Sequence, residues 1–206
     1  MLRAKSTFDA SYNRVLNIHE LYKHLVSSLH FRHENVSDLL RSEIVYIISA
    51  FDKFIHDVVR IGMLETFNLQ RTSTASYNNF PISLLQMQSI ISPALSINPY
   101  NIFENIIIDS HKHLSFQDPD KITQILSLIW NETHKWQKIS AILFIDERVL
   151  KIELRNIVIR RNQIVHEGDI DMFTSQIQDI RENDVYNSVE FIKKLTDAIY
   201  ALIGIP

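Results

Sequence analysis

"VLKIELRNIVI" (residues 149–159) runs directly into "RRNQIVHEGDI" (residues 160–170), and that junction governs how the whole chain is read. A helix turns by about 100° per residue. On that wheel Leu150, Leu154, Ile157, Ile164 and Val165 gather on one side of a helix spanning roughly 147–166. Arg148, Lys151, Arg155, Asn162 and His166 form a stripe on the other. Gly168 follows as a left-handed C-terminal cap. Arg161 breaks the pattern, because it falls among the apolar residues. A guanidinium keeps its charge there and needs a carboxylate, backbone carbonyls, water or a bound anion. A structural ion pair and an anion-binding role satisfy that need equally well. Asn162 and His166, four residues apart, are neighbours on the helix surface. An amide beside an imidazole can fix its tautomer or hold a substrate oxygen. The plainer alternative is a histidine interacting with the helix dipole.

Outward from this segment the same three- and four-residue periodicity recurs. It predicts helices over about 7–30, 37–66, 99–114, 119–130, 133–144 and 184–203. Pro99 and Pro119 stand at first helical positions behind Asn98 and Asp118 as caps. The polar, proline-punctuated stretch 68–98 reads as an insertion with a short helix opening at Pro81. Three glycines and five prolines in 206 residues favour long helices over a β-fold, which needs more turn residues. The expected fold class is all-α: one helical bundle over residues 1–206. Its core would come from 37–66, 147–166 and 184–203, with 68–98 peripheral.

Composition narrows the chemistry. The chain has no cysteine, which excludes disulfides and thiolate metal sites and suits a reducing cytoplasm. "MLRAKSTFDASYNR" lacks the apolar core of a signal peptide, and no run of about 18 uncharged apolar residues exists. The expectation is a cytoplasmic protein outside the membrane. A net charge of −3 gives no global pull on nucleic acid, so any such contact needs a local basic patch. Scattered glycines leave no phosphate-cradling loop and remove the common nucleotide-binding folds. His30 with His33, and His111 with His113, lack carboxylates at ligand spacing, so neither metal nor cofactor is expected. Trp130 and Trp136 read as core and boundary packing. In the second helix Ser49, Asp52, His56 and Arg60 share a stripe. It is either a wet face or a source of partners for Arg161 and His166.

"RRNQIVHEGDID" resembles the signature of the HEPN superfamily, R-x4-6-H with a polar residue after the arginine. "LLRSEIVYIISAFDKFIHDVVRIGMLE" (39–65) and "SFQDPDKITQILSLI" (115–129) resemble its RiboL-PSP-HEPN branch, and the likeness spans most of residues 37–200. Arg14 and His19 share the motif spacing, but Val15 stands where the motif has a polar residue. The resemblance implies a helical bundle that dimerises so that motif residues of two subunits line one cleft. It implies metal-independent cleavage of RNA, with Arg161, Asn162 and His166 at the motif positions and Asp52 and His56 in support. His166 would be the general base or acid, since an imidazole titrates near neutral pH. Arg161 would stabilise the phosphorane. Arg148, Lys151, Arg155 and Arg160 would contact the RNA backbone. Expected partners are RNA, a second copy of the chain, and an antitoxin or fused effector in a toxin or antiviral-defence setting. The alternative is a non-catalytic module that binds RNA or nucleotides. HEPN toxins often carry a modified tyrosine two residues after the histidine. Gly168 holds that position here, so that regulation is not expected. On an ideal helix Arg161 and His166 stand about 140° and about 7.5 Å apart. A twofold dimer built on the C-terminal half of this helix and Gly168 is therefore expected, each subunit supplying what the other lacks.

Overall fold

Apolar side chains cover several sides of the longest helix, so the other helices pack around it. The computed structural model describes residues 1–92 and 98–204. Among the described residues there are nine α-helices: α1 (Leu2–Lys23), α2 (His33–Phe67), α3 (Ala75–Asn78), α4 (Leu84–Ile91), α5 (Pro99–His111), α6 (Pro119–Leu126), α7 (Lys135–Leu143), α8 (Glu147–His166) and α9 (Glu182–Ile203). No strand occurs among them, only an isolated bridge between Ile170 and Ile177. The protein is an all-α bundle.

Leu40, Ile47, Phe51, Phe54, Ile55, Val58 and Met63 of α2 are fully buried. They meet Phe8, Val15 and Tyr22 of α1, Leu150, Leu154 and Ile157 of α8, and Val189, Ile192, Leu195 and Ile199 of α9. Each large side chain buried this way contributes about 1.5–3 kcal/mol. The expected core helices are there, and α1 joins them along most of its length, packing chiefly on α2. Trp136 is buried as expected, its indole N–H donating to the Pro119 carbonyl at 3.1 Å.

Several boundaries differ from expectation. Helix α1 begins at Leu2, about five residues early, because Met1 and Ala4 already pack on the core. It ends in a π-helical turn, His24–Ser28, ahead of the left-handed His30. The helix expected at Pro81 opens instead at Leu84, where Ser83 and Gln86 form a reciprocal capping box. In the same connecting segment, Leu84, Leu85 and Ile91 are exposed, while residues 93–97 lie outside the described residues. Pro99, Pro119 and the span of α8 stand where local signals put them. Gly168 takes the left-handed conformation, φ 64°, just past α8.

One close approach needs glycine. A Cβ on Gly62 of α2 would lie 2.6 Å from Ile129 Cγ2. The missing side chain lets the segment after α6 settle against α2, although glycine costs a helix about 1 kcal/mol relative to alanine.

Candidate functional site

The apolar stripe of α8 docks on α2, and that docking carries Arg161 to the outer face of α2. There it lines a groove of about 360 Å³ with Ser49, Asp52, Lys53 and His56 of α2 and with Lys112 and Gln117 from the α5–α6 loop. Lys53, Lys112 and Arg161 are cationic and Asp52 is the single carboxylate among these residues, but Lys53 and Lys112 pair with Asp57 and Asp109 beside the groove, each at 2.8 Å. The half-buried Arg161 guanidinium donates from Nη1 to Asn162 Oδ1 at 3.1 Å. Its Nε is buried without a hydrogen-bond partner. Among the described residues no carboxylate pairs with it. The requirement set by its place on the apolar side is thus not met by a structural ion pair.

Asp52 and His56 lie in this groove, as the stripe on α2 suggested, but they contact the loop rather than the motif. Asp52 Oδ1 accepts from the Phe116 backbone N–H at 2.6 Å. His56 Nε2 lies 3.2 Å from the Leu114 carbonyl oxygen, and its ring packs on Phe116 with centroids 4.5 Å apart. Together they pin the loop that brings Lys112 and Gln117 to Arg161. Beneath it, burial and then the neighbouring His56 push the pKa of His111 down to about 4. Arg60, the fourth member of the stripe, turns away and pairs with Glu104 on α5.

His166 is exposed in the last turn of α8 and does not line the groove. Val165, expected on the buried side, is also exposed, because this last turn projects past the body that Leu150, Leu154 and Ile157 pack against. Arg161 and Asn162 are brought together, whereas His166 faces elsewhere.

The basic residues of α8 divide. Arg148 is exposed and has no ion-pair partner among the described residues. Lys151 pairs with Glu147, and Arg155 with Asp118 at 3.5 Å and Asp120 at 3.0 Å. Arg160, expected to contact RNA, gives its hydrogen bonds to the protein. Asp169, only 1% exposed, accepts from Arg160 and from Arg41 Nε at 2.7 Å. Both arginines also hold the following segment, Arg41 through the Gln178 carbonyl at 2.7 Å and Arg160 through Gln178 Oε1 at 3.0 Å.

A family model for RiboL-PSP-HEPN matches residues 9–204, nearly the whole chain. The chain belongs to the RiboL-PSP-HEPN family. No curated protein and no solved structure matches it. HEPN domains include ribonucleases and nucleotide-binding modules, and they often bind RNA and dimerise. Among the described residues of this HEPN protein, no helix is long and apolar enough to cross a membrane.

Lys53, Lys112 and Gln117 were not singled out from the sequence of this HEPN chain. Lys53 lies one residue beyond Asp52 on an already polar face. Lys112 and Gln117 sit in a loop, where no periodicity marks direction. Asp169 was also passed over, although its place directly after the capping Gly168 was a usable signal: a capped helix end turns the next side chain back toward the body.

Proposed function

We propose that this protein is a metal-independent endoribonuclease that works as a homodimer. The observation that carries the reading is Arg161, half-buried in the groove with its Nε unpartnered and no carboxylate to neutralise it among the described residues. A phosphate diester matches a guanidinium fork there, because two of its oxygens can accept parallel hydrogen bonds. RNA supplies its own nucleophile. The 2′-oxygen attacks phosphorus as His166 takes its proton, the P–O5′ bond breaks, and the partner subunit's His166 protonates the leaving 5′-oxygen. The products are a 2′,3′-cyclic phosphate and a 5′-hydroxyl. Such a base contributes about 10²–10⁴-fold, and Arg161 stabilises the charge that develops on the phosphorane. Arg148, with Lys151 and Arg155, adds affinity for the RNA backbone.

The position of His166 supports the dimer. On α8 it shares an outward stripe with the exposed Ile152 and Ile159, and beyond it the 170–177 segment exposes Ile170, Met172, Ile177 and a 96% exposed Phe173. Apolar surface gathered this way favours association. A twofold contact there would bring each His166 toward the partner's groove. A toxin or antiviral-defence role, held in check by an antitoxin or fused effector, suits such an enzyme. A second reading, a non-catalytic RNA- or nucleotide-binding module, is favoured by the separation of Arg161 from His166 within one subunit.

The test is cleavage of mixed RNA in EDTA. Activity should survive chelation and vanish in His166→Ala and in Arg161→Ala. Mixing these two inactive variants should restore part of it through heterodimers. RNA binding without cleavage at any pH from about 5 to about 9, the span over which histidine changes charge, would support the binding module instead. Cleavage indifferent to His166→Ala would overturn the assignment.

A further inference from the structure

The groove at Arg161 does not end at α2. Ser49 and Lys53 also line a second furrow, about 550 Å³, between α1 and α2. Its floor is apolar, made by Val15 and Ile18 of α1. Its rim carries Arg14, whose Nη2 donates to Ser11 Oγ at 3.0 Å and which has no carboxylate partner among the described residues. Tyr46 forms one wall and is 55% exposed. Tyr46, Ser49, Lys53 and His56 fall at i, i+3, i+7 and i+10 on α2, so one face runs from furrow to groove over about 15 Å.

We infer that this furrow is a nucleobase subsite for single-stranded RNA. The inference rests on the RNA reading of the Arg161 groove and extends it to substrate class. An unstacked base next to the phosphate at Arg161 lies on the apolar floor and stacks on Tyr46. Arg14 meets a flanking phosphate, with Lys53, which is paired to Asp57, beside it. Three features select this occupant. The furrow is continuous with the phosphate groove, its rim charge complements a polyanion, and an aromatic ring is presented where a base would arrive. A duplex fits poorly, because its bases are already stacked inside the helix and only its grooves and backbone are offered. An apolar helix from another protein would bury the floor but strip water from Arg14 without pairing it. Arg14 has no carboxylate partner among the described residues, whereas Lys53 already pairs with Asp57 at 2.8 Å.

The experiment uses the full-length protein and a fluorescent 2′-O-methyl oligoribonucleotide, which binds but lacks the nucleophile for cleavage. Fluorescence anisotropy compares it single-stranded and fully paired. The single strand should bind more tightly. Tyr46→Ala should weaken single-strand binding roughly tenfold or more and Tyr46→Phe should restore it. Arg14→Ala should lower the salt dependence by about one counterion. If Tyr46→Ala binds as the wild type while Arg161→Ala binds poorly, the furrow assignment fails and the RNA reading of the groove stands. If the wild type binds neither form, the RNA reading fails and the furrow with it. If Tyr46→Ala instead turns a dimer into a monomer in sedimentation velocity, the furrow is a protein interface and the proposal is overturned. Tyr46 and Arg14 are exposed, so the variants should fold, and circular dichroism verifies that.

Discussion

Arg160 and Arg161 are adjacent in sequence, yet their guanidiniums serve different parts of the molecule. Arg160 turns to the end of its own helix and, with Arg41 of α2, encloses the buried Asp169. Arg161, about 100° further round α8, opens into the groove over α2 and bonds Asn162. One arginine holds the segment that follows the motif, and the other faces the space where an anion would sit.

Substituting the two arginines should separate stability from activity. Arg160→Ala leaves Asp169 with one partner fewer and should lower stability by about 3 kcal/mol, the range for breaking a buried pair. Arg161→Ala removes a charge that has no carboxylate partner and should change the urea midpoint little while abolishing cleavage. Equal losses of stability in both would contradict this division.

Asp169→Asn probes the same cluster from the acidic side. Asparagine keeps the shape and tolerates the left-handed backbone at this position, φ 59°, so the change isolates the charge. Two guanidiniums would lose their shared carboxylate, a cost of about 3–5 kcal/mol out of about 5–15 kcal/mol for a typical domain. A loss below about 1 kcal/mol in urea denaturation, the level of a surface pair, would mean that the cluster does not hold the 169–180 segment.

Asp52 has two separable roles. Asp52→Asn retains an acceptor for the Phe116 N–H and removes the groove's negative charge, so RNA should bind severalfold more tightly at low salt. Asp52→Ala also frees that N–H and the loop bearing Lys112, at a cost of about 1.5–3 kcal/mol for a charge-assisted hydrogen bond. Titration of both variants with the uncleavable oligonucleotide, beside their melting curves, distinguishes the two effects.

Glu43 should make stability depend on pH. It is 1% exposed, and its Oε1 lacks a hydrogen-bond partner. Burial, and then the charge of Glu182, raises its pKa from 4.5 to about 8. The folded state therefore holds a proton that the unfolded chain releases at the ordinary carboxylate value. The contribution is fully present below about 4.5 and is lost as pH rises towards about 8, at up to about 1.4 kcal/mol per pH unit. Glu43→Gln should flatten the dependence in that window. His19 Nδ1 lies 3.1 Å from Glu43 Oε2. Stability that stays level as pH rises from about 4.5 to about 6 would mean that Glu43 is already ionised in the folded protein.

Gly62→Ala sets two effects against each other. Helix propensity favours alanine by about 1 kcal/mol. The new Cβ would meet Ile129 Cγ2 at 2.6 Å, and forcing such an overlap in a packed core costs about 1–3 kcal/mol. The expected outcome is a net loss in thermal stability. A higher melting temperature would show that the segment around Ile129 yields freely.

The span of α8, the proline-opened starts of α5 and α6 and the anomaly of Arg161 were all legible in the sequence. They depend on residues within one or two helical turns of each other, and period, caps and proline geometry act over that distance. The family motif was legible for the same reason. What only the tertiary structure decided is which distant groups meet. Asp52 looked like a partner for Arg161 or His166 and instead accepts from Phe116, sixty-four residues away. Lys112 and Gln117 reach the groove because a loop is pinned there. Arg160 meets Arg41, over a hundred residues earlier, through an aspartate whose direction is set by the turn after α8. Periodicity states which face of a helix is apolar. It does not state which face of another helix that surface meets, nor where a loop puts its side chains, because both follow from how all the helices fill the core together.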